Sequence, residues 1–161
     1  MLVTLALASC SLWGPVRTDL SAERYSYTKP PSPWEQQQAS DVRADLLFLH
    51  KPSRNLLAVN SLCDRYSQLT LRSLSRQLMG DFEDLEIVSQ ESRMVAGREG
   101  LLSLVRGKVE GVIVESKIVV FRKQKCIFDI TLHAKESISE ESSQTFDKFL
   151  DTFVYDRGVK E

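Results

Sequence analysis

From Phe128 to Lys135 apolar and polar side chains alternate strictly, and this stretch constrains the fold more than any other. Cys126, Phe128, Ile130, Leu132 and Ala134 share one side, and Asp129, Thr131, His133 and Lys135 share the other. Successive side chains of a strand point to opposite faces, so this period of two predicts a strand with one dry and one wet face. That is the signature of an antiparallel sheet. Three further segments precede it at hairpin spacing. Leu85–Val95 leads into Gly97-Arg98-Glu99-Gly100, Leu101–Val109 ends at Glu110-Gly111, and Val112–Val120 is turned by Arg122-Lys123-Gln124-Lys125. Short connections of this kind join antiparallel neighbours, so the four segments form a meander.

Two more strands are expected upstream, Leu46–His50 and Leu56–Asn60, separated by the turn Lys51-Pro52-Ser53-Arg54-Asn55. Between them and the meander, Leu71, Leu74 and Leu78 recur at helical spacing, with Leu69 and Met79 near the same stripe. Ser67 or Thr70 would cap that helix and Gly80 would stop it. A closing helix is marked by Ser137 or Ser139 with Glu140, then by Phe146, Phe149, Leu150, Phe153 and Val154. The order β-β-α-β-β-β-β-α predicts an α+β fold: an antiparallel sheet of about six strands with helices packed on it. Residues 45–155 would form the single domain and 156–161 a short tail.

The 161 residues include 42% apolar and 27% charged side chains, ordinary for a globular chain, and the formal net charge is −1. With no basic stripe, nothing points to nucleic acid as a partner. No apolar stretch approaches the roughly 20 residues that a spanning helix needs, and Met1–Ala8 is too short for one.

The first residues carry a different message. Leu2, Val3, Leu5, Ala6, Leu7 and Ala8 form a brief apolar run that closes on small residues before Cys10. Small residues suit the narrow groove of a signal peptidase. Leu7-Ala8-Ser9-Cys10 resembles the lipobox of bacterial lipoproteins. The resemblance implies that residues 1–9 are a signal segment, that Cys10 receives the lipid, and that Ser11 follows it in the mature chain. Several acyl chains on one residue give a lasting membrane anchor. A serine rather than an aspartate after the cysteine further implies the outer membrane, facing the periplasm, over the inner membrane. Residues 10–44 contain Gly14, Pro15, Pro30, Pro31, Pro33 and Glu35-Gln36-Gln37-Gln38, a composition expected of a spacer.

The element order also resembles the fold of the photosystem II extrinsic protein PsbP, the nuclear import factor Mog1 and the bacterial lipoprotein DcrB. The resemblance rests on Val59-Asn60-Ser61-Leu62-Cys63 before the helix, Gly111 before a long strand, and Lys125-Cys126-Ile127-Phe128-Asp129. It implies binding or assembly roles and not a shared activity.

Chemistry-bearing residues are sparse. No GxSxG, HExxH, P-loop or GxGxxG motif occurs, and no cofactor is called for. Gly107-Lys108-Val109-Glu110-Gly111 reads as a hairpin, because no helix N-terminus follows it to cradle a phosphate. Asp81, Glu83, Asp84 and Glu86 lack calcium-loop spacing and read as a solvated turn. His50 and His133 have no partner at a recognisable spacing and are expected at the surface. Cys63 and Cys126 have two readings. Outside the cytoplasm they would form a bridge, closing a loop of roughly 60 residues; otherwise they are separate buried thiols.

The functional expectation is a lipid-anchored envelope protein, non-catalytic, serving as a binding or assembly accessory to an envelope protein partner. The alternative is a periplasmic small-ligand binder or carrier that uses a cavity between sheet and helices.

Overall fold

The computed structural model describes residues 25–38, 44–63 and 68–156. Nine strands and two helices occur in it: β1 Tyr25–Ser26, β2 Trp34–Gln36, β3 Leu46–His50, β4 Leu56–Cys63, α1 Leu71–Leu78, β5 Glu83–Val95, β6 Arg98–Val109, β7 Val112–Lys123, β8 Cys126–Lys135, α2 Glu140–Thr152 and β9 Val154–Tyr155. Seven strands form one antiparallel sheet in the order β2-β3-β4-β8-β7-β6-β5, and β1 pairs with β9 in a second, two-stranded sheet. After β4 the chain crosses through α1 to the far edge, then returns strand by strand until β8 lies beside β4. The α+β class and the meander agree with the sequence reading.

The meander turns on three two-residue hairpins, Ala96-Gly97, Glu110-Gly111 and Gln124-Lys125, in which all six residues have positive φ between 50° and 77°. Paired positive φ values give the turn whose twist matches that of the flanking strands. Arg98 to Gly100, expected in the first turn, instead open β6. Gly100 is required inside that strand, because a Cβ there would lie 2.9 Å from the Val120 carbonyl oxygen and 3.1 Å from Phe121 Cβ.

The helices cover opposite faces of the sheet. On one face α2 inserts Phe146, Phe149 and Leu150 among Phe48, Leu57, Phe121, Phe128, Ile130 and Leu132, all almost completely buried. Ser139 caps this helix by accepting from Ser142 N at 3.2 Å, and Glu140 and Glu141 sit favourably at its positive end. The helix stops at Thr152, so Val154, read as part of the apolar stripe, lies in β9 and is exposed. On the other face α1, capped by Thr70, packs Leu71, Leu74 and Met79 against Val105, Ile118 and Val120. Leu78 and Leu69 turn outward, and Met79 fills the place expected for Leu78.

The expected spacer over residues 10–44 is folded where it is described. Tyr25 and Trp34 are buried in the α2-side core, β2 extends the sheet to seven strands, and Thr28 N donates to Thr152 Oγ1 at 2.8 Å. The domain therefore reaches back at least to Tyr25. Apolar anchoring by two aromatic rings outweighs the spacer-like prolines between them. Residues 1–24, including the lipobox and Cys10, lie outside the described residues.

Candidate functional site

Strand β8 carries the chemistry that the alternation pointed to, although its second face is not wet. With helices on both sides of the sheet, a central strand loses solvent from both faces. Thr131 is 6% exposed, and Asp129 and His133 are mostly buried. The register sets Asn60 of β4 and Val120 of β7 on either side of Asp129, and Leu56 and Ser116 on either side of His133. Asn60 Nδ2 donates to Asp129 Oδ2 at 2.8 Å. Burial dominates the titration of Asp129 and pushes its carboxyl up to about 6; the Asn60 bond opposes this, and the nearby Asp45 charge adds to it. Asn60 Oδ1 is buried without a hydrogen-bond partner.

Ser116 Oγ and His133 Nδ1 are 2.7 Å apart. A serine beside a histidine invites a nucleophile–base reading, but the surroundings refuse it. Ser116 is 0% exposed, so no substrate reaches its hydroxyl. Asp129 sits four residues earlier on the same strand, roughly 13 Å away, too far to orient the ring. Burial lowers the His133 pKa, favouring a neutral ring that shares its bond with the serine. His50, also expected at the surface, is buried: its Nδ1 lies 2.6 Å from Ser53 Oγ and its ring packs on Trp34. Both histidines therefore hold structure together.

A third polar group lies at the edge of the α2-side core. Tyr25 Oη donates to Asp45 Oδ2 at 2.9 Å, and Ser61 Oγ donates to the same oxygen at 2.5 Å. Burial raises the Asp45 carboxyl, against the two hydroxyl bonds that lower it, and burial likewise raises the Tyr25 phenol. Close by, Cys63 and Cys126 stand directly opposite each other on β4 and β8 and are joined as a disulfide, S–S 2.05 Å. The Tyr155 hydroxyl of β9 lies 3.5 Å from Cys126 Sγ. The bridge, β9 and β1 thus fasten both chain ends of the domain to the middle of the sheet.

Among the described residues no His, Cys, Asp or Glu group has metal-site geometry. The acidic residues after α1 disperse: Asp84 pairs with Lys108 at 2.7 Å on the surface and Glu83 begins β5. The space between sheet and α2 is filled by rings. Phe121 and Phe128 stack at 5.0 Å, and Phe153 meets both edge-on.

What the sheet leaves open is its outer edge. β5 runs for 13 residues and, among the described residues, pairs with β6 on one side and with no strand on the other; Val95 is its one buried residue. Leu85, Ile87 and Val88 are exposed at the same end of the meander as Val112 and Ile113. Sequence reading counted β5 as a strand but could not see that it was an edge, since edge position follows from the crossover through α1.

No protein-family model matches the chain, and no curated protein matches its sequence. Solved structures do. Cyanobacterial PsbP (CyanoP) from Synechocystis superposes with a TM-score of 0.57 at 17% identity, over 92% of this chain and 98% of that one. The fold is PsbP-like. LpqN, a protein involved in cell envelope biogenesis of Mycobacterium tuberculosis, gives a TM-score of 0.53 at 12% identity over 81% of this chain and 82% of its own. A Bacteroides thetaiotaomicron protein gives 0.59 at 13% identity, covering 86% of this chain. This chain spans about half of that protein's length, 48%. The PsbP-like fold stands without a shared activity, because folds of this kind host unrelated jobs.

Proposed function

We propose that this protein is a non-catalytic accessory module of the bacterial cell envelope, held at the membrane by lipid on Cys10 and working by binding another envelope protein. The observation that carries the binding role is the edge of β5, unpaired among the described residues, with Leu85, Ile87 and Val88 exposed along it. Exposed apolar side chains grouped around an unpaired strand edge suit a protein partner. The neighbour LpqN, described as involved in cell envelope biogenesis, supports the setting, and the lipobox resemblance of Leu7-Ala8-Ser9-Cys10 supports the anchor. A serine after Cys10 supports the outer membrane.

The carrier reading has less room. A ligand between sheet and α2 would have to displace Phe121, Phe128, Phe146, Phe149 and Phe153, each at most 1% exposed. Affinity capture from solubilised membranes with the anchored protein as bait tests the accessory role. A recurring envelope protein whose recovery drops with Leu85→Asp/Ile87→Asp is the expected result. Recovery unchanged by those substitutions, or a co-purifying small molecule and no protein, would contradict it.

A further inference from the structure

An edge strand of 13 residues spans roughly 40 Å, long enough to recruit another strand. Its two halves differ. Register shifts between Glu83 and Glu86 and between Ile87 and Ser89 bend the first half, whereas Ser89 to Val95 pair with β6 residue by residue without interruption. Bulges make pairing with a further strand difficult, so the regular half, Ser89-Gln90-Glu91-Ser92-Arg93-Met94-Val95, is the segment able to continue the sheet.

From this segment we infer that β5 pairs with β5 of a second copy of the chain, antiparallel and centred on Ser92, joining two seven-stranded sheets into one. Symmetry restricts the possibilities sharply. Directly opposed residues of an antiparallel pair point to the same face, and a two-fold axis normal to the sheet keeps each residue on its own face in both copies. The axis must then pass through a residue position and never between two. Centring on Glu91 opposes two carboxylates, and centring on Arg93 opposes two guanidinium groups. Centring on Gln90 forces Ser92 against the bulge at Val88. Centring on Ser92 opposes Glu91 of each copy to Arg93 of the other, giving two opposite-charge pairs, with Met94 against Gln90 and Val95 against Ser89.

The side chains are placed for this. Glu91 and Ser92 are exposed, and the Arg93 side chain is 30% exposed. Arg93 Nη2 donates to Asp151 Oδ1 at 2.6 Å, which leaves its guanidinium with further donors. Glu91 and Arg93 lie on the α2 side with Val95, and Gln90 and Met94 on the α1 side, where Gln90 Nε2 donates to Ser103 Oγ at 3.0 Å. This self-pairing is independent of the accessory role, since it uses the flat half of β5 and not the bulged apolar end.

The test uses the full chain with Cys10→Ser, purified alone, so its failure leaves the capture experiment untouched. Adding Ser92→Cys puts one thiol on the symmetry axis, opposite its own copy at about 5 Å between Cβ atoms. Mild oxidation then gives a covalent dimer in high yield, whereas Ser89→Cys, whose copies would stand roughly 20 Å apart, gives none. Sedimentation equilibrium adds the charge test. Glu91→Arg weakens association by roughly tenfold or more, and Glu91→Arg/Arg93→Glu restores it. A monomer mass up to about 100 µM, equal cross-linking of both cysteine variants, or no rescue by the double exchange overturns the proposal.

Discussion

Asn60 Nδ2 donates to Asp129 Oδ2, and among the described residues Asn60 Oδ1 is buried without a partner. Burial disfavours the charged carboxylate and raises the Asp129 carboxyl to about 6, against the Asn60 bond that lowers it. The linkage has a definite sign. The folded protein binds this proton more tightly than the unfolded chain does, so the Asp129 penalty is absent below the unfolded value near 4. It grows as pH rises through about 6 and is complete at neutral pH. Asp129→Asn keeps an acceptor for Asn60 Nδ2 and removes the buried charge. Stability should therefore rise at pH 7 by about 2 kcal/mol and stay nearly unchanged at pH 4. Denaturant melts of both proteins at the two pH values check this; an equal effect at both would contradict it. His133 acts in the opposite sense, its lowered pKa withdrawing stability as pH falls through the unfolded value near 6.5. Comparing variant with parent at each pH separates the two. Alternation marked Asp129 and His133 as polar positions, but two-fold periodicity says which face a residue takes and not whether a helix covers it. At Gly100 the constraint is steric: Gly100→Ala should cost about 1–3 kcal/mol by forcing its Cβ onto the Val120 carbonyl and Phe121, measured by urea unfolding.

Hairpins and helices were legible to the extent that a residue type marks them. Glu110-Gly111 declared itself through glycine, and two helix starts were marked by pairs of candidates, Ser67 or Thr70 and Ser137 or Ser139, of which Thr70 and Ser139 cap the helices. Gln124-Lys125 adopts the same turn with no glycine, so the sequence pointed only to a broader polar stretch around it. Lys125 carries φ 63°, a conformation that costs a side-chain-bearing residue energy that glycine avoids. Lys125→Gly should raise stability by about 0.5–1 kcal/mol in a thermal melt. Strands β1 and β2 escaped the reading because two or three residues cannot display a period. Their cause is tertiary: Tyr25 packs on Phe153 and Tyr155, and Trp34 packs on His50 of β3. The disulfide could be narrowed to a pair but not decided from sequence, because opposition of Cys63 and Cys126 depends on β8 returning to β4. Replacing both cysteines by alanine releases a link across 63 residues and should cost about 4 kcal/mol in the chain-entropy model. That corresponds to a fall in Tm on the order of 10 °C; an unchanged Tm would mean that the two strands hold without the bond.

At the scale of the molecule, the filled aromatic core, the structural histidines and the open β5 edge turn the functional weight outward, toward surfaces and partners. Among the described residues no helix is long and apolar enough to cross a membrane, so the proposed envelope role leans on the segment before Tyr25. The element order pointed to the PsbP-like fold because short hairpins leave few ways to arrange four consecutive strands. The partner was not legible, since a sheet edge becomes an edge only once all strands are placed. The lipid anchor is tested most sharply by the mass of the N-terminal peptide of the protein isolated from bacterial membranes. A peptide that begins at Cys10 and carries a diacylglyceryl group and an amide-linked acyl chain is the expected result. A peptide with Met1 intact, or with Cys10 unmodified, would contradict it.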